Sequence, residues 1–221
     1  MDLNAALGQF VNDHGEIVVD DRLTLAGLAE LLFQRSVAAD PKAAQRTAIR
    51  FWDYSAAGER RDVTRGEINT RIKAVAARLQ QVGAVGDRVA ILAGNSPEYL
   101  YGFLGALYAG MVPIPLYDPR EPGHADHLRS VFADAQPRIV VTNRASAAAV
   151  RSHFAALPGR ERPRVIAVDA LPDAVAATYQ PPQPPEGAST APVDLPAFLQ
   201  YTSGSTRAPA GVILTNRSIM V

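Results

Sequence analysis

The sequence predicts an α/β fold, a largely parallel β-sheet flanked by helices, and three observations predict it. Strand-like and helix-like segments alternate along most of the chain with short connections, the pattern of a parallel sheet covered on both faces. The strand-like runs are short and apolar, as buried strands are; residues 138–142 are rich in β-branched side chains. The motif Thr64-Arg65-Gly66-Glu67 has capping-box spacing. An apolar stripe follows at Ile68, Ile72, Val75, Ala76, Leu79 and Val82, at three- and four-residue intervals.

The elements follow in order. Residues 23–38 read as an amphipathic helix with Leu25, Leu28, Leu31 and Leu32 near one face, and residues 48–54 as a strand. The capped helix from Thr64 closes at Gly83 and Gly86. Residues 88–93 form a buried strand, and Pro97 opens a helix over 98–109, since proline suits a first helical turn. A strand at 112–116, a helix at 127–135, a strand at 138–142, a helix at 145–157 and a strand at 165–168 continue the alternation. Residues 179–196 break it with six prolines and few large apolar side chains. That stretch reads as an exposed, extended loop returning the chain to the sheet. Strands at 198–201 and 212–214 end the pattern. The whole reads as one α/β layer structure behind a helical lead-in.

A chain of 221 residues with 48% hydrophobic content has ample material for a core. Lys and Arg total 22, against 22 Asp and Glu, so nothing predicts wholesale attraction to nucleic acid or to an acidic membrane. The absence of cysteine excludes disulfides, thiolate catalysis and cysteine-bound metals, and fits a cytoplasmic protein. Arginine outnumbers lysine twenty to two, a mark of genome composition more than of a binding surface. No basic-then-apolar leader opens the chain, and no run of eighteen uncharged apolar residues is present.

The chemistry concentrates at residues 199–212. Behind a short apolar strand come Thr202, Ser203, Gly204, Ser205 and Thr206, four hydroxyls around one glycine, and then Arg207. Small residues let the main chain approach an anion, successive N–H groups can converge on it, and hydroxyls rotate to meet phosphate oxygens. Arg207 adds a fixed charge on a planar fork. The GxxxxGK(S/T) spacing of a Walker loop is missing, and an ordinary polar hairpin has the same composition.

The full string resembles the phosphate-binding signature of the adenylate-forming superfamily, usually Tyr-Thr-Ser-Gly-Ser/Thr-Thr-Gly-x-Pro-Lys-Gly-Val. Residues 201–206 match, as do Pro209, Gly211 and Val212. Arg207 stands where glycine is usual and Ala210 where lysine is usual; this form looks like the fatty acyl-AMP ligase branch. The likeness continues upstream through residues 86–91, 103–110, 112–116 and 118–119, and Gly123 to Leu128 resembles the Glu-Pro-Gly-His stretch of that branch. By this resemblance, residues 1–44 are a helical N-terminal lead-in. Residues 45–221 are a partial AMP-binding (adenylation) domain, an incomplete N-terminal part of the adenylate-forming fold, with 179–196 as a Pro-rich connection and with the downstream half and C-terminal subdomain absent.

The implied reaction is ATP-dependent activation of a long-chain fatty acid to an acyl-adenylate, with transfer to an acyl carrier protein or polyketide synthase carrier domain. Thr202, Ser203, Gly204, Ser205, Thr206 and Arg207 would bind the β- and γ-phosphates, with Mg2+ bridging them. Family members run to more than twice this length and place other active-site parts downstream, so the segment alone is expected to be inactive. No catalytic residue is assigned. The alternatives are a fatty acyl-CoA synthetase segment and a non-enzymatic module that binds nucleotide or a partner, with self-association through an exposed sheet edge.

Other candidates are weaker. His124 and His127 flank Asp126, with Asp118 and Glu121 nearby in sequence, but this is too few ligands for a metal site, and a solvated helix start with Asp126 as cap is the simpler reading. His14 and His153 have no companions. Ser203 and Ser205 have no assignable histidine partner. Trp52, Tyr54, Tyr99, Tyr101 and Phe103 are expected to pack in the core.

Overall fold

A computed structural model describes residues 12, 14, 16–54, 58–120, 125–183, 189–202 and 210–221. Its centre is a four-stranded parallel sheet of β3 (Arg88–Ile91), β4 (Val112–Pro115), β5 (Ile139–Thr142) and β6 (Arg164–Ala167), in the order β4-β3-β5-β6. Val89 stands beside Pro113 on one side and Ile139 on the other. Beyond the exposed arginines that open β3 and β6, the strands are mostly apolar because both faces are covered. Val89, Ile91, Ile139 and Val141 pack toward α2 (Arg65–Gln80) and α3 (Pro97–Tyr108). Ala90, Leu92, Ile114 and Val140 pack toward α4 (Ala125–Ala135) and α5 (Arg144–His153).

The expected α/β architecture is therefore present, and local chemistry explains its helices. The Thr64 hydroxyl accepts from the Glu67 amide at 3.1 Å and starts α2, while Ile72, Val75, Ala76 and Leu79 are buried along it. Pro97 occupies the first turn of α3. Two glycines let α3 approach its neighbours. A Cβ at Gly102 would lie 2.5 Å from Val141, and one at Gly105 would lie 2.6 Å from Val75 Cγ1 and 3.2 Å from the Ile72 carbonyl oxygen.

Several expectations need correction. The leucine stripe of the first helix, α1 (Leu25–Ala39), does not face the core throughout: Leu31 and Leu32 are exposed. Ala26 and Ala29 make the apolar contact instead. Beside them Glu30 accepts from Lys73 at 2.7 Å, Asn69 at 2.8 Å and Gln34 at 2.7 Å, so a polar knot fixes the rotation of α1. Burial pushes the Glu30 carboxyl up, but these donors outweigh it and hold it below the usual range. Strand β1 (Thr47–Asp53) pairs antiparallel with β2 (Glu59–Thr64), which periodicity had not revealed. Among the described residues no second layer covers one face of this hairpin, so Trp52 and Tyr54 are exposed and stack on each other at 6.4 Å rather than packing inside. The Pro-rich stretch is exposed at residues 180, 181, 183, 189 and 190, yet its beginning is pinned. Tyr179 lies against Tyr108, Gln180 accepts from Gln80 at 2.7 Å, and Pro182 rests on Gly110.

The chief difference concerns β7 (Pro196–Tyr201). It does not rejoin the parallel sheet; it pairs antiparallel with β8 (Gly211–Thr215) in a separate two-stranded sheet beside β4, ahead of the short α6 (Asn216–Met220). The cause lies in β4. Its Val112 and Leu116 amides donate inward to Asp87 and Ile91, so the alternating nitrogens of Pro113 and Pro115 face the outer edge, where they have no hydrogen to give. Strand β7 can pack against that edge but cannot join it.

Replacing Gly105 with Ala tests the helix packing. The methyl group gains about 1 kcal/mol of helix propensity but meets the α2 backbone, an overpacking cost of about 2–3 kcal/mol, leaving a net loss of about 1–2 kcal/mol. Denaturant unfolding should show a lowered midpoint; a raised one would contradict this packing.

Candidate functional site

Strands β3, β4 and β5 deliver their carboxyl ends to one edge of the sheet, where open parallel sheets offer ligand crevices. A polar seam ties these ends together. The Thr142 hydroxyl donates to the Leu92 carbonyl at 2.7 Å, and the Asn143 amide donates to the Ala93 carbonyl at 3.0 Å. Asn143 Oδ1 also accepts from the Ser146 amide at 2.9 Å, capping α5, and the Ser146 hydroxyl donates to Asp118 Oδ2. Asp118 is only 2% exposed. It accepts from the Arg120 amide at 2.9 Å and from the guanidinium at 2.9 Å. Burial alone would raise its pKa, but the hydrogen bonds of Arg120 and Ser146 prevail and hold the carboxyl below the ordinary aspartate range. Gly94 closes the seam with φ +59°; a Cβ there would stand 3.3 Å from Asp118 Oδ2. Glycine meets both demands.

Between this edge and β7 lies a cleft of about 430 Å³, bounded by Gly94, Leu116, Tyr117 and His127 on one side and Gln200 and Tyr201 on the other. Tyr117 and His127 meet edge to face with centroids 6.3 Å apart. The N-terminus of α3 begins beside it at Ser96, turning positive helix-end charge toward this edge. A smaller cavity of about 240 Å³ shares the Gly94 wall and runs under the β1–β2 hairpin, bounded by Phe51, Ile68 and Tyr101. The Tyr101 hydroxyl is buried with no hydrogen-bond partner among the described residues, and burial raises it to about 12.

Of the residues expected to bind phosphate, Thr202 lies directly after β7, next to Tyr201 of the cleft wall, its amide donating to the Ala210 carbonyl at 3.2 Å. Ser203, Gly204, Ser205, Thr206 and Arg207 lie outside the described residues, as do Glu121 and His124. Asp126 is not the cap of α4. It sits inside the first turn, exposed, and pairs with Arg129 at 3.4 Å. His127 is half-buried on the cleft wall rather than solvated. His153 packs edge-on against Phe154 at 4.9 Å, and burial followed by the Arg129 charge lowers its pKa. Among the described residues no three His, Cys, Asp or Glu side chains gather as metal ligands. Sequence reasoning missed Asn143, Ser146 and the structural role of Asp118; the available signal was their place just beyond the ends of β5 and β4.

The sequence profile of the AMP-binding enzyme family matches residues 33–221. The chain belongs to that family. Among its relatives, the long-chain-fatty-acid–AMP ligase FadD32 of Mycolicibacterium smegmatis is 47% identical over 79% of this chain and 27% of its own length. The 4-hydroxyphenylalkanoate adenylyltransferase of Mycobacterium tuberculosis is 38% identical over 88% of this chain and 30% of its own. The crystal structure of the fatty acid AMP ligase from Legionella pneumophila superposes with a TM-score of 0.70 at 25% identity, covering 92% of this chain and 32% of that one. The AMP-binding chain thus spans about a third or less of the proteins it matches. The expected resemblance to the N-terminal part of fatty acyl-AMP ligases is borne out. Among the described residues no helix is long and apolar enough to cross a membrane.

The seam makes a prediction about acid stability. The folded pKa of Asp118 lies below its unfolded value. Its ionisation therefore adds stability that is fully present above about pH 4 and lost as pH falls through the folded pKa. Asp118→Ala should cost about 2 kcal/mol near neutrality, because the Ser146 hydroxyl loses its acceptor and half-exposed Arg120 loses a carboxylate. Asp118→Asn should flatten the acid limb of the stability–pH curve; equal acid limbs in wild type and Asp118→Asn would contradict the assignment.

Proposed function

We propose that this chain supplies part of an enzyme that activates a long-chain fatty acid with ATP and passes the acyl group to a carrier-protein thiol. The observation that carries the reading is the phosphate-loop signature of residues 201–212, which follows a strand whose end, Gln200 and Tyr201, lines a cleft beyond the carboxyl ends of a parallel sheet. The names of FadD32 and of the Legionella ligase support the substrate class.

In the proposed reaction a carboxylate oxygen of the fatty acid attacks the α-phosphorus of ATP. A new P–O bond forms, the bond to the α–β bridging oxygen breaks, and pyrophosphate leaves with that electron pair. Residues Thr202, Ser203, Gly204, Ser205, Thr206 and Arg207 hold the β- and γ-phosphates through hydroxyls, main-chain amides and one guanidinium, a donor set matched to a polyphosphate. Their contribution is alignment and charge stabilisation of the leaving group. Mg2+ enters with the substrate as MgATP, its shell filled mainly by phosphate oxygens and water. The acyl-adenylate then gives its acyl group to the phosphopantetheine thiol of an acyl carrier protein or polyketide synthase carrier domain in the cytoplasm, releasing AMP. Arg207 keeps a positive charge in a loop whose usual lysine is replaced by Ala210.

The name of the M. tuberculosis relative favours one competing substrate, an arylalkanoic acid. Exchange of radiolabelled pyrophosphate into ATP, measured on the natural protein with a long-chain fatty acid and with a 4-hydroxyphenylalkanoate in parallel, decides between them. Exchange should follow the fatty acid; exchange with the aryl acid alone would overturn the substrate class, and exchange with neither would overturn the reaction. Ser203→Ala and Thr206→Ala should each remove about 1–3 kcal/mol of transition-state stabilisation.

A further inference from the structure

The phenol of Tyr201 at the end of β7 is 7% exposed and donates to Asp134 Oδ2 of α4 at 2.5 Å. On the opposite strand Gly211 faces the same ring. A Cβ there would lie 2.8 Å from Tyr201 Cζ and 2.9 Å from its oxygen, so only glycine lets β8 pass this close. One residue further on, Thr202 and Ala210 close the neck of the loop with their 3.2 Å hydrogen bond. Helix α4 is itself tied to the parallel sheet at the next residue, where Arg88 of β3 donates to the Ala135 carbonyl. A continuous path of contacts therefore runs from β3 through the end of α4 and the Tyr201 ring to Thr202. The two-stranded sheet shares no ladder with β4; besides this path, Phe198 of β7 meets Phe103 of α3 edge to face at 5.4 Å.

We propose that Tyr201 and Asp134 are positioning residues for nucleotide binding, holding Thr202 and the neck of its loop at a fixed place relative to the carboxyl ends of the parallel sheet. The inference rests on the proposed adenylation reaction for its functional consequence, and on geometry alone for the anchor. The ring lies in the same buried apolar cluster as Ile114 of β4 and Leu128 of α4, and a carboxylate acceptor makes its hydrogen bond a strong one. Burial and then the Asp134 carboxylate push the phenol up to about 12, so the donor keeps its proton throughout the neutral range.

Two readouts on the natural protein test this. In amide hydrogen exchange, Tyr201→Phe and Asp134→Ala should each speed exchange at the Thr202 amide by about tenfold, while amides of β3 and β5 keep their protection. In pyrophosphate exchange the KM for MgATP should rise by about tenfold in both variants, with the KM for the fatty acid unchanged. Asp134→Asn, which retains an acceptor oxygen, should stay within about twofold of wild type. The double variant should be no worse than either single one, because both changes break one contact. Unaltered exchange at Thr202 would overturn the anchor. Faster exchange at Thr202 with an unaltered KM for MgATP would overturn its role in nucleotide binding. A wild-type protein with no pyrophosphate exchange would overturn the proposed reaction, and the anchor would still be judged by hydrogen exchange at Thr202.

Discussion

Two missing hydrogens shape this site. Pro113 and Pro115 alternate along β4 so that both nitrogens face its outer edge, while the Val112 and Leu116 amides bond inward to β3. An edge without donors stops the parallel sheet at four strands. The next strand to arrive, β7, must pair elsewhere, and it finds β8. Two sheets that touch without sharing a ladder leave a crevice where they diverge. That crevice is the cleft between Leu116 and Tyr117 on one side and Gln200 and Tyr201 on the other. The site is thus a consequence of what β4 cannot bond.

A crevice is useful only if its walls hold still. The sheet side is held by a chain of small polar groups in which each member has a partner: Thr142 on Leu92, Asn143 on Ala93 and Ser146, and Ser146 and Arg120 on Asp118. Such networks stabilise only when complete, since an unpaired member buried there costs more than the hydrogen bond it would make. Behind them, Gly102 and Gly105 let α3 lie close to Val141 and Val75, so the loop between β3 and α3 meets the cleft at Gly94. The opposite wall is held by Tyr201, whose hydroxyl donates to Asp134 of α4, and by Phe198, which meets Phe103 of α3 edge to face at 5.4 Å.

Much of the parallel sheet could be read in the sequence because its signals are local. A capping box at Thr64, a proline opening α3 and short apolar strands each specify structure over a few residues, and the structure agrees with them. The errors arose where partners distant in sequence decide the outcome. Leu31 and Leu32 form a plausible stripe, but Glu30 reaches Lys73 and Asn69 and turns the helix away from them. Trp52 looks like core, but among the described residues nothing covers its face of the hairpin. The same division holds at the site. The Thr202 loop stood out as a contiguous string, whereas Asp118, Ser146, Tyr201 and Asp134 are ordinary residues in sequence, joined only when separate elements fold together. The prolines of β4 were visible, but which edge they would blunt depends on strand direction and register, which no single segment encodes.

The most direct test of this account is a crystal structure of the natural protein with MgATP bound as a slowly reacting analogue. The account predicts β- and γ-phosphates held over residues 202–207, with the rest of the nucleotide entering the cleft beside Gly94 and Tyr117 and β7 still unpaired with β4. A nucleotide seated elsewhere, for instance in the cavity under the β1–β2 hairpin, or a β7 zipped onto β4 with the cleft closed, would contradict it.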